Sequence, residues 1–249
     1  LKYFIGNWKM FGDYESIENI KKIHKFNTKF IKNYKNTKII LCVPSTLISF
    51  FNINLKSKLI SIGGQNCHQE QKYGPFTGSI SSSMLKKVGA KYVIIGHSEN
   101  RKEGESNQLL KKKISSAIKE NLTVIFCIGE SYSQKKNGKT FSVLKKQLIS
   151  SITKKLNHNK IIIAYEPIWS IGTGKIPKVE DLKKTFKFIT NKYKKIFKTK
   201  NYPVVLYGGS VNDRNIGTFS SIPEINGFLI GGASQSSKKF IDIIKNYYK

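Results

Sequence analysis

The sequence predicts one α/β domain folded as a closed parallel (β/α)8 barrel. Three observations predict it: short β-rich runs alternate with longer segments of helical periodicity, the alternation occurs eight times, and no low-complexity linker interrupts it. A chain of 249 residues has the size of one such barrel. We therefore expect residues 1–249 to form a single domain whose active site lies at the carboxyl ends of the strands.

The predicted strands are apolar on both faces, which is typical of a parallel sheet covered by helices. They comprise residues 3–6, 38–43, 59–63, 92–95, 123–127, 161–165, 204–207 and 227–230. The clearest predicted helices comprise residues 16–31, 108–120, 140–156, 179–197 and 236–247. Polar residues and glycines follow the strands, and in a barrel all the carboxyl ends share one rim. Side chains that are distant in sequence are therefore expected to converge there.

The composition is that of an ordinary globular protein. Hydrophobic residues make up 39% of the chain and charged residues 24%, and no apolar run reaches the roughly 18–20 residues of a membrane helix. We expect a soluble protein with no membrane partner. The formal charge is +29, but Arg101 and Arg214 are the only arginines. Because arginine is the preferred side chain for reading bases and gripping phosphates, the lysine excess indicates solvated helix faces and no dedicated nucleic-acid partner.

The cysteines and histidines predict neither a metal site nor a cofactor. Cys42, Cys67 and Cys127 form no CxxC pair, and the four histidines form no HExxH pattern. We expect the cysteines to be reduced core residues. The chain begins at Leu1 without a secretory signal. A cytoplasmic protein, or one in a plastid or other organelle after removal of a presequence, is therefore expected, and a secreted one is not.

Glu166 is the first candidate catalytic residue. It closes the predicted strand IIIAYE and is followed by PIWSIGTGK, in which two glycines flank a threonine. That pattern predicts a base beside a mobile lid, at about residues 167–177, because a carboxylate becomes a stronger base when a closing loop removes water. The alternative is a strand-end glutamate turned to solvent by Pro167.

Two further candidates follow other strands. His97, in IIGHSENR, precedes a predicted helix, where a neutral imidazole can donate a hydrogen bond to a substrate oxygen. A capping or core histidine is the alternative. Lys9, in GNWKM, lies just past the first strand, where an ammonium group can neutralise a phosphate and a developing enediolate.

Two glycine-rich turns follow the last two strands and open onto helices. They read YGGSV from Tyr207 and IGGAS from Ile230. Glycines there allow backbone N–H groups to approach a phosphate, assisted by the amino end of a helix. Barrels of this kind often hold phosphates at this position. The alternative is a pair of turns without a ligand.

Taken together, the segments GNWKM, IIGHSE, CIGE, AYEPIWSIGTGK, YGGSV and NGFLIGGAS resemble, in order, the signature segments of the triosephosphate isomerase family of TIM-barrel enzymes. The resemblance covers nearly the whole chain. It implies that Glu166 moves a proton between two carbons of a triose phosphate, that neutral His97 polarises the oxygens, and that Lys9 and Asn7 stabilise an enediolate.

The resemblance also implies a phosphate site and supporting residues. Backbone amides of Gly172, Ser210, Gly231 and Gly232 would bind the phosphate. Glu99 is similar to the family's second carboxylate near Lys9, and Thr77 would reach the active site of a neighbouring subunit in a homodimer. Tyr207 is similar to a tyrosine that latches the closed lid.

Two departures from the family change these expectations. Relatives usually carry a small non-proline residue where Pro177 stands, and the tyrosine similar to Tyr207 binds its N–H; proline has none, so we expect the latch to be absent or rerouted. The family also commonly has TGE at 77–79 and SERR at 98–101, where Ser79 and Asn100 now replace the two charges of an intersubunit salt bridge. A homodimer weakened by this loss and by charge repulsion is expected.

Two other functions remain open from sequence alone. One is another phosphate-binding barrel enzyme, although a Schiff-base aldolase needs a lysine inside the barrel and the predicted strands are nearly free of inward lysines. The other is a catalytically retired barrel that acts as a binding or scaffold protein through its lysine surface. That function predicts damage to the catalytic set, yet Asn7, Lys9, His97 and Glu166 are all present.

Overall fold

The structure is a computed structural model that describes residues 1–30, 36–57 and 59–249. Within them, eight parallel strands are arranged in chain order and close into a barrel. The closing pair joins the first strand to the last, with Tyr3 opposite Gly227 and Gly6 opposite Ile230. The single (β/α)8 barrel predicted from the sequence is confirmed.

The strands and helices alternate as expected. The strands are β1 (Lys2–Asn7), β2 (Thr37–Cys42), β3 (Ile60–Gly64), β4 (Tyr92–Ile95), β5 (Thr123–Ile128), β6 (Ile161–Tyr165), β7 (Val204–Tyr207) and β8 (Gly227–Ile230). The helices are α1 (Ile17–Phe30), α2 (Ser45–Leu55), α3 (Ser82–Lys87), α4 (Ser98–Lys102), α5 (Asn107–Lys119), α6 (Tyr132–Lys136), α7 (Thr140–Ser151), α8 (Val179–Phe197) and α9 (Ser237–Tyr247). Short 3-10 turns cover His158–Lys160, Ile168–Ser170, Ile216–Phe219 and Gly232–Gln235.

The helix predicted over 140–156 is wrong in its last turn. Helix α7 ends at Ser151, and Ile152 is extended with φ −118° and ψ 147°. Ile152 is buried and Leu156 packs on the same core from a turn. Helical spacing of apolar residues therefore continues past the end of the helix. The predicted end of the first helix at residue 31 lies outside the described residues, and the other predicted boundaries match or differ by one position.

Alternation along the strands produces two apolar layers. A small cluster inside the barrel includes Ile5, Cys127, Ile162 and Leu206. A larger one, between the barrel and its helices, takes side chains of the opposite parity, such as Phe4. Burying each such side chain contributes about 1.5–3 kcal/mol. The inner layer forms the floor on which polar residues at the strand ends sit.

The three cysteines are free and buried, as predicted. No helix among the described residues is both long enough and apolar enough to span a membrane.

Candidate active site

A cavity of about 250 Å³ opens at the carboxyl rim of the barrel. Its wall contains the four residues predicted to act in catalysis, Asn7, Lys9, His97 and Glu166, and the four predicted to bind phosphate, Gly172, Ser210, Gly231 and Gly232. Ile171, Val211 and Leu229, for which the sequence predicts no role, complete part of the wall. The structure therefore brings both predicted sets together in one place.

Glu166 points into the barrel because of strand parity. Ile162 and Ala164 of β6 belong to the inner layer, and Glu166 is the next residue of that parity. Gly208, at the end of β7, makes room for the glutamate, since a Cβ there would lie only 2.8 Å from Glu166 Cγ. The same parity rule directs Asn7 inward two residues beyond Ile5.

The Glu166 carboxylate is almost withdrawn from solvent, with 2% of the residue exposed. Burial raises its pKa above the ordinary value of 4.5, although a hydrogen bond from the Cys127 thiol and the nearby Lys9 ammonium group act in the opposite direction. Glu166 is therefore a stronger base than a surface carboxylate and lies beside the cavity where a substrate would sit. The solvent-facing alternative is excluded by this burial.

His97 enters the cavity through a turn. Gly96 has φ 76°, a left-handed conformation that favours glycine, and it breaks the alternation of β4 before His97. His97 Nδ1 accepts a hydrogen bond of 3.3 Å from the Glu99 backbone N–H at the start of α4. In the neutral ring the hydrogen is then on Nε2, which lies 3.5 Å from Glu166 Oε1.

The side chain of Glu99 also lies close to the His97 imidazole. Its Oε2 lies 3.5 Å from His97 Nδ1, an ion pair only if the ring is protonated. We favour the neutral ring because the Glu99 backbone N–H can only donate and so needs the lone pair of Nδ1. His97 therefore caps α4 and also lies in the cavity wall. From the sequence these were two alternative roles.

Lys9 is held in a strained conformation. Its φ is 57°, which is uncommon for a residue with a side chain and costs of order 1–3 kcal/mol. Its backbone N–H donates to Asn7 Oδ1 at 3.1 Å, and its Nζ contacts Glu99 Oε1 at 2.5 Å. Such strain is common at functional sites.

The predicted phosphate-binding residues do not have equivalent surroundings. A Cβ at Gly172 or Gly232 would meet no atom within 4 Å, so the wall is open there. Gly172 also has φ 70°, which favours glycine. The Ser210 backbone N–H already donates to the Ser170 hydroxyl oxygen at 3.2 Å. A phosphate would have to displace that oxygen to reach the Ser210 amide.

The supporting residues occupy different places. Glu99 lines a neighbouring groove of about 520 Å³ that shares Asn7, Lys9 and His97 with the cavity. Thr77 is exposed on its loop and belongs to neither wall of this chain. Tyr207 is fully buried, and its hydroxyl contacts Ser170 Oγ at 3.0 Å. Tyr207 thus contacts Ser170, whereas Pro177 has no backbone N–H to offer it.

Glu130 lies in the segment CIGE and has no role predicted from the sequence. Glu130 is fully buried and accepts hydrogen bonds from the Tyr165 hydroxyl at 3.2 Å and from Trp169 Nε1 at 3.0 Å. Burial raises its pKa. Lys135 Nζ lies over the Trp169 ring, 3.9 Å from its centre. Glu130 and Lys135 thus anchor the first turn of the predicted lid.

Arg101 has no predicted role in the site. Its guanidinium donates to the carbonyls of Gly96 at 2.8 Å and Cys127 at 3.0 Å, and to Asn107 Oδ1 at 2.8 Å. These bonds tie the turn that carries His97 to β5 and α5. Three directed bonds in one plane are the geometry for which arginine is suited.

A metal site and a Schiff-base lysine are two alternative kinds of chemistry for such a barrel. Across residues 1–30, 36–57 and 59–249, no three His, Cys, Asp or Glu side chains are grouped to hold a metal ion. In the same ranges Lys113 is the one buried lysine, and it lies in α5 rather than on a barrel strand. The arrangement therefore offers no Schiff-base lysine inside the barrel.

A closed barrel with a buried carboxylate, an imidazole and an ammonium group in one rim cavity defines a (β/α)8-barrel enzyme. The family model described as triosephosphate isomerase matches residues 2–247. The chain belongs to the triosephosphate isomerase family, and it is an isomerase. The resemblance drawn from its motifs is confirmed.

Individual relatives are similar over their whole length. A triosephosphate isomerase of Bartonella tribocorum is 39% identical over 244 residues, 97% of this chain and 94% of that protein. One of Dictyoglomus turgidum is 38% identical over 250 residues, 98% and 99% of the two chains. The crystal structure of triosephosphate isomerase from Bartonella henselae matches with a TM-score of 0.89 and 36% identity. The match covers 100% of this chain and 99% of the crystallised chain. These relatives are bacterial proteins and give no support to the expected organellar presequence.

Proposed function

We propose that the chain interconverts dihydroxyacetone phosphate and glyceraldehyde 3-phosphate through an enediolate. One observation carries the proposal: a buried carboxylate of raised pKa, Glu166, lies 3.5 Å from His97 Nε2 in a cavity that also contains Lys9. This arrangement combines a base for a C–H proton with donors for the adjacent oxygens. Family membership and relatives named as isomerases support catalysis, and neither supports the scaffold alternative.

Glu166 removes a proton from one carbon and returns it to the neighbouring carbon. The electron pair of the broken C–H bond forms the C=C bond of the enediolate, and the carbonyl oxygen takes the negative charge. The charge needs donors that are already in position, because reorienting solvent dipoles would cost free energy in the transition state. His97 Nε2–H supplies one donor, and it moves protons between the two oxygens.

Asn7 and Lys9 stabilise the same negative charge. Asn7 is 4% exposed at the end of β1, and its Oδ1 accepts the Lys9 backbone N–H. This bond supports the left-handed backbone that directs the Lys9 side chain toward Glu99. Backbone amides of Gly172, Ser210, Gly231 and Gly232 bind the phosphate, and residues 167–177 form the lid. Closure of the lid excludes water, which keeps the enediolate phosphate from eliminating phosphate.

Steady-state isomerisation in a coupled assay tests the proposal. Glu166→Gln removes the base and keeps its shape, so kcat is expected to fall by about 10²–10⁴-fold. Glu166→Asp keeps the carboxylate but withdraws it by one methylene, and a misplacement of about 1 Å is expected to lower kcat on the order of 10²-fold.

Ser151→Ala is the matched control. It removes a fully buried hydroxyl from α7, away from the cavity, and should leave kcat unchanged. Wild-type protein without turnover, or a Glu166→Gln variant with wild-type turnover, would contradict the proposed function.

We also propose that two copies form a weakened homodimer in which Thr77 of each chain approaches the other's active site. The loop over 73–78 exposes Tyr73 and Phe76 by 69% and 40%, and a groove of about 520 Å³ lies beside the active site, where such a loop of a second copy would enter. Ser79 and Asn100 contribute no charge pair, and the formal charge of +29 on each chain favours dissociation.

Sedimentation across salt concentrations tests the dimer. Because salt screens repulsion between the subunits, association is expected to tighten as ionic strength rises. A dimer that stays intact at nanomolar protein whatever the salt concentration contradicts the weakening, and a monomer at every concentration contradicts the dimer itself.

A further inference from the structure

One hydroxyl joins three parts of the active-site rim. Ser170, in the 3-10 turn after β6, is fully buried. Its Oγ contacts the Lys175 carbonyl at 2.5 Å, the Tyr207 hydroxyl at 3.0 Å and the Ser210 backbone N–H at 3.2 Å. We call these four groups the Ser170 junction. It connects the far part of the predicted lid, strand β7 and the predicted phosphate loop.

The directions of these hydrogen bonds follow from the groups themselves. The Lys175 carbonyl can only accept, so it takes the one hydrogen of the Ser170 hydroxyl. The Ser210 N–H can only donate, so it occupies one lone pair of Oγ. The Tyr207 hydroxyl must then donate to the other. Every hydrogen-bonding position of the Ser170 hydroxyl is used.

Gly209 shows how closely the junction is packed. A Cβ at this position would lie 2.3 Å from the Tyr207 hydroxyl oxygen and 2.7 Å from Ser170 Oγ. The glycine therefore has a role besides access to phosphate: it lets the backbone of the phosphate loop lie against the Ser170 hydroxyl.

We propose that Ser170 is a positioning residue that couples occupation of the phosphate loop to the lid. This rests on the proposed function, in which the Ser210 amide binds phosphate. In the empty site Ser170 Oγ holds that amide. A phosphate is anionic and accepts a hydrogen bond more strongly than a neutral hydroxyl, so it takes the Ser210 N–H. The freed lone pair leaves Ser170 bound to Tyr207 and Lys175 alone.

Ser170→Ala separates this role from simple packing, because it removes a competitor for phosphate and a tie for the lid at once. Inorganic phosphate should inhibit the variant two- to tenfold more tightly, as expected for the loss of one competing hydrogen bond. The kcat should fall about five- to tenfold, because Lys175 and Tyr207 lose their shared partner. The measurements are the Ki of inorganic phosphate at fixed ionic strength and kcat in the coupled assay.

Three further variants distinguish the proposed role of Ser170 from a general effect of removing a buried hydroxyl. Ser151→Ala, the buried-serine control, should change neither value. Tyr207→Phe keeps the competitor, so it should lower kcat and leave the phosphate Ki within twofold of wild type. The double variant should have the kcat of Ser170→Ala, because the two hydroxyls act through one junction.

Each outcome decides the proposal. A tighter phosphate Ki with reduced kcat in Ser170→Ala supports it. An unchanged or weaker phosphate Ki overturns it, as does an unchanged kcat. If Ser170→Ala does not fold, Tyr207→Phe decides: a weakened phosphate Ki there refutes the coupling. Absence of turnover in wild type is a different result and counts against the proposed function alone.

Discussion

Gly208→Ala is expected to move the catalytic carboxylate while leaving the fold in place. The added Cβ would lie 2.8 Å from Glu166 Cγ, whereas carbon atoms in contact are about 3.5–4.0 Å apart. One of the two must therefore give way by roughly 0.7–1.2 Å. The backbone of Gly208 is fixed by its N–H bond to the Tyr165 carbonyl at 2.8 Å. The Glu166 side chain, which can rotate, is the part that moves.

The expected effects on stability and on catalysis differ in size. A side chain turned about 30° from its rotamer costs on the order of 0.5–1.5 kcal/mol, which lowers Tm by about 1–6 °C in a chain of this length. A displacement of about 1 Å in a catalytic group lowers turnover on the order of 10²-fold. Gly208→Ala should therefore lower kcat by about two orders of magnitude in a protein that is nearly as stable as wild type.

The assay compares Gly208→Ala with Gly217→Ala by steady-state kinetics and thermal unfolding. Gly217 is the matched control because a Cβ there meets no atom within 4 Å and its φ lies outside the left-handed region. Its kcat should equal that of wild type. Retention of kcat within twofold in Gly208→Ala would refute the reasoning. A Gly208→Ala protein that is already unfolded at the assay temperature would refute it as well.

The remaining predictions concern protonation. The acid limb of kcat/KM should lie above pH 4.5, because burial raises the pKa of Glu166 and only its ionised form removes a proton; a limb at or below that pH in a pH–rate profile would show that another base acts. Glu166→Gln should unfold at a higher temperature than wild type at neutral pH, and the difference should shrink as pH falls through the raised pKa. The sign follows because the native state binds this proton more tightly than the unfolded chain, so ionisation opposes folding above that pKa. The native thiols should resist an aromatic disulfide reagent at pH 8 and react after unfolding, since burial raises the pKa of Cys67 to about 12 and raises the pKa of Cys42 and of Cys127 well above its usual range; fast labelling of the native protein would contradict their burial.

Much of the barrel was predictable because its periodicity is local. The strands at 92–95, 161–165, 204–207 and 227–230 have the predicted bounds. The same pattern does not mark where backbone geometry changes. Ile152 and Leu156 keep helical spacing after α7 has ended, because a turn can bring the same side chains to the core.

Within the site, strand ends were predictable and contacts between loops were not. Asn7 and Glu166 follow from parity, since each is the next inward residue of a recognisable strand. Ser170 carries no such signal, because a serine after a tryptophan in a loop is compatible with many conformations. Its role depends on Tyr207 and Ser210, which are 37 and 40 residues away and meet it only in the closed barrel.

At Pro177, in the predicted lid, the sequence shows which hydrogen bond is lost and the structure shows which contact replaces it. The sequence shows that proline removes an N–H from the far end of the lid, but it does not show which group takes its place. In the structure Pro177 is buried and Tyr207 binds Ser170, whose hydroxyl also contacts Lys175 two residues before the proline. The tyrosine is therefore connected to Lys175, in the far part of the predicted lid, through a serine hydroxyl rather than through a backbone amide. Because that hydroxyl also holds the Ser210 amide, the proposed coupling between the predicted lid and the predicted phosphate loop runs through Ser170, which a direct bond to residue 177 would not provide.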